Sequence, residues 1–346
     1  MSQTHLHLLM AAAFLFFGLD HSMGQETARP ALMELPLSAR FAGSAESMGA
    51  PLNAALGDVL FQPALLDSSH SGQFHLGFMD HFAGTAQAAA IYARRPEKRK
   101  WVWHTGLRNL GFGNFTTRDP SGVEMGQFTA SDVAWVSGAS LPLDSNLTLG
   151  TSIWLGQSVL ADRRSSFSQV DVGLTYLRND RNLRLAALWR PWGGMTNVGG
   201  TNVSGRFDSD LRLSMSKGFA NAPFTFLLTY DELQNWDISP EGLYDDSIDP
   251  LTGDTVPSGT WAFGDRLLRH LAVGTELDLG TGLKFRFGYH HRRRQELRLN
   301  NAPGTAGFAW GIDFKVRRFQ VAVARNTYHT AGASTHLAIR TRLTDR

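Results

Sequence analysis

Three groups of residues in this chain carry side chains that chemistry uses. Ser214-Met-Ser-Lys217 has the spacing in which a lysine one helical turn away activates a serine nucleophile. His290-His291 offers imidazoles for a transition metal, and Asp245, Asp246, Asp249 and Asp254 offer carboxylates for calcium. Each group fails on position. Ser214 falls where Leu211, Leu213 and Met215 alternate as in a strand, and neither Lys-Thr-Gly nor Ser-Asp-Asn follows it. Adjacent histidines point to opposite sides of a strand, and the acids lack the glycine that follows the third ligand position of a calcium loop. The expectation is a protein with no catalytic residue, cofactor or metal.

The elements around these residues are strands. Leu283, Phe285, Phe287 and Tyr289 alternate with Lys284, Arg286 and Gly288, a period that only a strand has. Phe308, Trp310, Ile312 and Phe314 alternate in the same way with Ala309, Gly311, Asp313 and Lys315. A soluble sandwich buries the apolar face and wets the polar one, whereas an outer-membrane barrel turns the apolar face to lipid and lines its lumen with the polar one. About fourteen such segments begin near Phe74, Ala88, Trp101, Ser131, Leu147, Gln169, Leu183, Asp210, Phe224, His270, Leu283, Gly307, Phe319 and His336, an even number as bacterial barrels require.

The links alternate in length. Residues 143–146, 178–182, 217–223, 280–282 and 316–318 form short turns, and residues 116–129, 191–208, 232–268, 291–306 and 326–335 form longer polar loops. Short periplasmic turns and long extracellular loops are the topology of an outer-membrane barrel. Eight of the nine tryptophans (Trp101, Trp103, Trp154, Trp189, Trp192, Trp236, Trp261 and Trp310) fall mostly near strand ends, as interfacial girdles do. Lys284, Arg286, Asp313, Lys315, Asp171, Glu276, Arg340 and Arg342 are expected in the lumen, paired with one another or with the N-terminal segment.

Composition agrees with export. Leu8 to Leu19 is one apolar run, too short to span a bilayer, and reads as a signal-peptide core with Ser22 and Gly24 at its cleavage site. The chain has no Cys, which excludes disulfides and thiolate metal sites. Its net charge of +2 is spread along the strands, which argues against nucleic-acid binding. The expected organisation is a signal peptide over 1–24, a plug or periplasmic segment over 25–71, and an outer-membrane barrel over 72–346. Pro30, Pro36, Gly43, Gly49, Pro51, Gly57 and Pro63 break any regular element in the middle part. A segment packed inside the barrel and a disordered tail both stand open for it.

Several separated segments carry a resemblance. Leu35 to Arg40, Phe61 to Leu66, Ala222-Pro-Phe224 with Glu232 to Ile238, Arg269-His270, Gly288 to Leu297 and Tyr328 to Gly332 resemble, in order, the signature segments of the PorQ family of the type IX secretion system of Bacteroidota. The resemblance implies a fourteen-stranded barrel related to the FadL-like and PorV families, with an N-terminal plug carrying Gln62, Pro63, Ala64, Leu65 and Leu66. It further implies a non-catalytic outer-membrane anchor that binds PorZ directly, within a complex that includes PorV and the sortase PorU and joins cargo to lipopolysaccharide. Gln62 departs from the family's Asn at that position, and the chain ends on Leu343-Thr-Asp-Arg346 instead of an aromatic residue.

On this reading the partner-binding loops contain Trp236, Asp237, Arg293, Arg294, Gln295, Glu296, Tyr328 and His329, because Trp, Tyr and Arg dominate interface energetics. The same residues serve equally as lipid-interface anchors and loop-holding ion pairs, with Arg293 or Arg294 on Glu296. The alternative function is a FadL-like transporter for hydrophobic solutes, which needs an apolar lumen pocket and a kinked strand. Leu52, Leu56, Leu60 and Phe61 would supply apolar surface for it. A lipid hydrolase would need a Ser and a His within hydrogen-bond reach on the lipid face, and no matched pair is visible.

Overall fold

A computed structural model describes residues 28–198, 204–248, 255–256, 261–297, 304–329 and 332–343. The signal-peptide reading of Leu8 to Leu19, and Asp249 and Asp254, lie outside the described residues.

Fourteen antiparallel strands form a closed ring. They are β1 (Gln73–Asp80), β2 (Ala86–Arg94), β3 (Val102–Arg118), β4 (Glu124–Pro142), β5 (Leu147–Leu160), β6 (Arg163–Arg178), β7 (Leu183–Val198), β8 (Asp210–Gly218), β9 (Phe224–Tyr230), β10 (Leu271–Asp278), β11 (Lys284–His290), β12 (Phe308–Val316), β13 (Phe319–His329) and β14 (Gly332–Arg342). Each pairs with the next, and β1 closes the ring on β14 with Gln73 opposite Arg342 and Asp80 opposite Thr335. A three-residue strand, Ser204–Arg206, extends the sheet at the outer end of β7. Closure removes every free edge, which is what lets strands cross a membrane.

The pleat sorts the side chains as the alternation requires. Leu76, Phe78, Phe226, Phe287 and Trp310 are exposed on the outside, while His75, Gln169, Asp171, Glu276 and Arg286 are buried on the inside. A polar interior and an apolar exterior reverse a soluble protein and match a lipid-facing barrel. Trp154 is a correction to the girdle reading. It faces inward at 2% exposure and donates from Nε1 to Asp171 Oδ2 at 2.8 Å, because a buried carboxylate needs donors more than the interface needs an indole.

Three of the loops also need correcting. Residues 116–129, 191–208 and 326–335 are largely the ends of long hairpins, with β3 running to Arg118, β7 to Val198 and β13 to His329. The regular apolar–polar alternation lapses in such extensions, where Gly113, Gly126, Gly193 and Gly194 interrupt it, so their sequence reads as loop. Among the described residues, the link between β9 and β10 carries the helix α3 (Ala262–Arg269) and the link between β11 and β12 carries α4 (His291–Leu297). The first two helices, α1 (Ala31–Glu34) and α2 (Ala39–Gly43), belong to the N-terminal segment.

That segment lies within the ring. α2 packs on β11 to β14, the turn Pro63–Leu65 on β4 to β6, and the turn Leu56–Leu60 on β1 and β2. Leu32, Leu37, Phe41, Leu56, Leu60, Phe61 and Leu65 form one buried cluster with Ile91, Val136 and Leu227 of the wall, and the Phe41 and Phe61 rings stack at 4.2 Å. The motif from Gln62 to Leu66 is buried. Gln62 Nε2 donates to the Ala187 carbonyl at 3.0 Å, Thr175 Oγ1 donates to the Ala64 carbonyl at 3.0 Å, and Ser140 Oγ donates to the Leu66 carbonyl. Gly150 makes room for this motif, and Gly288 for the turn at Ser44 and Ala45. A Cβ on Gly150 would lie 2.4 Å from the Ala64 nitrogen, and one on Gly288 would lie 2.1 Å from the Ser44 carbonyl carbon.

Candidate functional site: the outer mouth and its lumen network

Three sets of charges line the inside of the wall, and the inner segment reaches into each. Near the periplasmic end Arg40 meets Asp58 at 3.1 Å, Asp313 at 3.3 Å and Glu276 at 3.5 Å, while Arg286 pairs with Glu276 at 2.8 Å and with Asp313. Lys284 joins Glu276 at 2.9 Å. Across β6 to β8, Arg190 lies 3.2 Å from Asp210, 3.3 Å from Glu34 and 3.7 Å from Asp171. Asp171, Glu276, Arg286, Asp313 and Lys284 therefore stand where the alternation placed them, whereas Lys315 is exposed and Arg342 donates to the Ser69 carbonyl at 2.7 Å. Buried carboxylates this close to guanidinium groups satisfy charge that would otherwise be costly to bury.

The third set rings the outer mouth, around a cavity of about 290 Å³ floored by Glu34, Leu35 and Glu46 of the inner segment. Glu46 holds a left-handed backbone at φ 69°, next to Ala45 at φ 50°, a conformation unusual for two consecutive residues that are not glycine. The turn aims the Glu46 carboxylate upward. It accepts from Arg293 Nη2 at 2.5 Å and from the Tyr328 hydroxyl at 3.2 Å, and the Arg293 guanidinium lies 4.1 Å from the centre of the Tyr328 ring. Around the rim Arg212 meets Asp231 at 2.5 Å, Arg292 meets Glu232 at 2.8 Å and Glu296 at 3.1 Å, and Arg269 meets Asp265 at 2.7 Å and Glu296 at 3.2 Å.

The expected partner-binding residues separate into two groups. Glu296 stays at the rim. Gln295 is half-buried, and Arg294 donates to the Gly304 carbonyl at 2.5 Å. Trp236 is 45% exposed, and Asp237 pairs with Arg266 at 2.9 Å. Arg293 and Tyr328 point into the lumen instead. Tyr328 belongs to β13 and not to a loop, and His329 beside it is half-buried. Arg293 pairs with Glu46 and not with Glu296, whose partners are Arg269 and Arg292. The mouth residues missed by the sequence reading are Glu46, Arg212 and Asp231. Arg212 had a signal, since it alternates with outward Leu211 and Leu213; Glu46 had none.

The groups with catalytic types are occupied otherwise. Ser214 Oγ shares a hydrogen bond with Thr229 Oγ1 at 3.0 Å inside the barrel, and Lys217 Nζ reaches the Arg181 carbonyl at an exposed end. His290 lines the mouth cavity, while His291 lies 3.0 Å from Asp265. Asp245 and Asp246 are exposed.

Burial pushes the Asp265 carboxyl up, but hydrogen bonds with His291, Arg269 and Tyr244 outweigh it and hold the group below the usual carboxylate range. A depressed pKa contributes stability that is complete above the unfolded value of about 3.9 and is lost as pH falls through the folded value. Hydrogen-exchange protection of the α3 amides, corrected for intrinsic rate, should therefore fall on acidification in the wild type. In Asp265→Asn it should be low at neutral pH and nearly flat with pH.

No family model and no curated protein sequence matches the chain. Among solved structures, the fold is similar to that of FadL-type barrels. The Ralstonia pickettii toluene transporter TbuX is 13% identical, covering 88% of this chain and 98% of its own, with a TM-score of 0.50. The Pseudomonas putida toluene transporter TodX is 13% identical over 92% of this chain and 98% of its own, also at 0.50. A Pseudomonas aeruginosa FadL homologue is 10% identical over 90% and 99%, again at 0.50. A barrel of this kind points to the outer membrane. At these identities the likeness concerns the fold and leaves the substrate open.

Proposed function

We propose that this chain is a non-catalytic outer-membrane scaffold of the PorQ kind, whose charged mouth holds a cell-surface partner of the PorZ type within a type IX secretion assembly that includes PorU and PorV. One observation carries the reading. The separated segments that bear the resemblance, Glu232 to Ile238, Arg269-His270, Gly288 to Leu297 and Tyr328, converge on one mouth, which they share with Glu46. Such convergence supports a docking surface, because exposed rim charges set orientation and partner choice. The packing of the inner segment supports it too, since Leu56, Leu60 and Phe61 are buried in the core cluster.

The second reading is a transporter for hydrophobic solutes, and the likeness to toluene transporters favours it. Against it stand the ion pairs that occupy the lumen and the charged side chains around the mouth. The deciding experiment is a pull-down of the tagged protein from detergent-solubilised outer membranes, with co-purifying proteins and bound lipids identified by mass spectrometry. Recovery of PorZ-like and sortase partners, lost in Glu232→Arg although that variant stays in the membrane, supports the scaffold. Recovery of the barrel alone with apolar solute bound overturns it in favour of transport.

A further inference from the structure

The wall is uneven in height. β3 and β4 run 17 and 19 residues, whereas β9 and β11 have 7 each and β10 has 8. At about 3.3 Å per residue and a tilt of about 40°, seven residues rise roughly 18 Å, short of the roughly 25 Å apolar band of an outer-membrane barrel. Directly above this low stretch lies α3, and its burial is inverted. Arg269 is 4% exposed and, with Asp265, faces the mouth, where they bond to each other and to Glu296, His291 and Tyr244. Phe263 and Leu268 face outward, and Trp261 before them is 76% exposed. A helix on a water-washed surface keeps its apolar side toward the protein.

An aromatic ladder joins this surface to the lipid face of the barrel. Tyr230, at the top of β9 on the same side as exposed Phe226, stacks on His270 at 4.9 Å. His270 lies 6.2 Å from Trp236, Trp236 lies 5.5 Å from Phe263, and Phe263 lies 6.2 Å from Trp261. The rungs climb without a break from a lipid-facing strand to the outer face of α3. We propose that α3 lies in the outer leaflet, with Trp261, Phe263 and Leu268 seated in lipid, completing the apolar belt where β9 to β11 are too short. Trp236 then serves as a lipid anchor and not as a partner contact. The inference rests on the barrel's membrane placement; it assigns Trp236 to lipid and leaves the charged mouth to the docking reading.

The absence of cysteine makes the test clean, because a single introduced thiol is the only label site. Phe263→Cys and, as a reference on the same loop, Glu241→Cys would carry an environment-sensitive fluorophore on the full-length barrel in proteoliposomes. Leu268→Cys is the second reporter if Phe263→Cys fails to fold by heat-dependent gel migration. The Phe263 probe should be blue-shifted, lose most of its emission to brominated lipid and resist aqueous iodide, with the reverse at Glu241. Equal iodide access at both sites overturns the proposal. So does protection from iodide without quenching by brominated lipid, which would place another copy of the chain on the patch. The pull-down decides the docking reading separately.

Discussion

Arg40→Met should be among the most damaging single substitutions in the chain, lowering unfolding free energy by about 3–5 kcal/mol, the cost of stripping one partner from a buried ion pair. Arg40 stands within 3.5 Å of three carboxylates from three parts of the chain: Asp58, Glu276 and Asp313. Methionine keeps much of the volume and removes the charge. Asp58, at 1% exposure, would keep the Ser38 hydroxyl at 2.7 Å and lose its cation. Arg286 would be left to serve Asp313, and Glu276 would keep Arg286 and Lys284. Denaturant unfolding in lipid, followed by heat-dependent gel migration, measures the loss. Arg40→Met combined with Asp58→Asn should recover part of it, and a double variant no better than the single would exclude a charge origin.

Gly288→Val should open the lumen. A Cβ there would meet the carbonyl carbon and oxygen of Ser44 at 2.1 Å, and both belong to backbone that cannot swing aside as a side chain would. Overpacking of this kind costs about 1–3 kcal/mol where the structure yields. What yields is the turn through Ala45 and Glu46, already held at positive φ, so Glu46 leaves Arg293 and Tyr328. In planar bilayers the wild type should conduct little, and Gly288→Val should show discrete channel openings. An ohmic wild-type pore would contradict the filled lumen and strengthen the transporter reading.

Much of the wall was legible before the structure. The fourteen starting points fall within a few residues of the observed strands except where hairpins run on into water, because lipid on one side and a polar lumen on the other write a period of two into the residues. Beyond the lipid that contrast vanishes, which is why Thr116 to Thr129 and Tyr328 read as loop. Trp154 misled because residue type spoke for the interface while its parity with Ser152 placed it inside. The path of residues 28–72 was not legible, since nothing in an aperiodic run of Pro and Gly says which wall it touches. The mouth depends on that path. Arg293 has its partner 247 positions away in Glu46, a pairing that no local pattern contains.

The seam between the first and last strands sits beside the end of the inner segment, with Leu343 donating to the Gly72 carbonyl at 2.8 Å and Arg342 to Ser69. The filling precedes β1 in the chain and touches walls as far apart as β5 and β13, so the seam of β14 on β1 encloses it. Content and container share their contacts, and a barrel closed without its filling would be a different protein, with stranded lumen charges in place of a core.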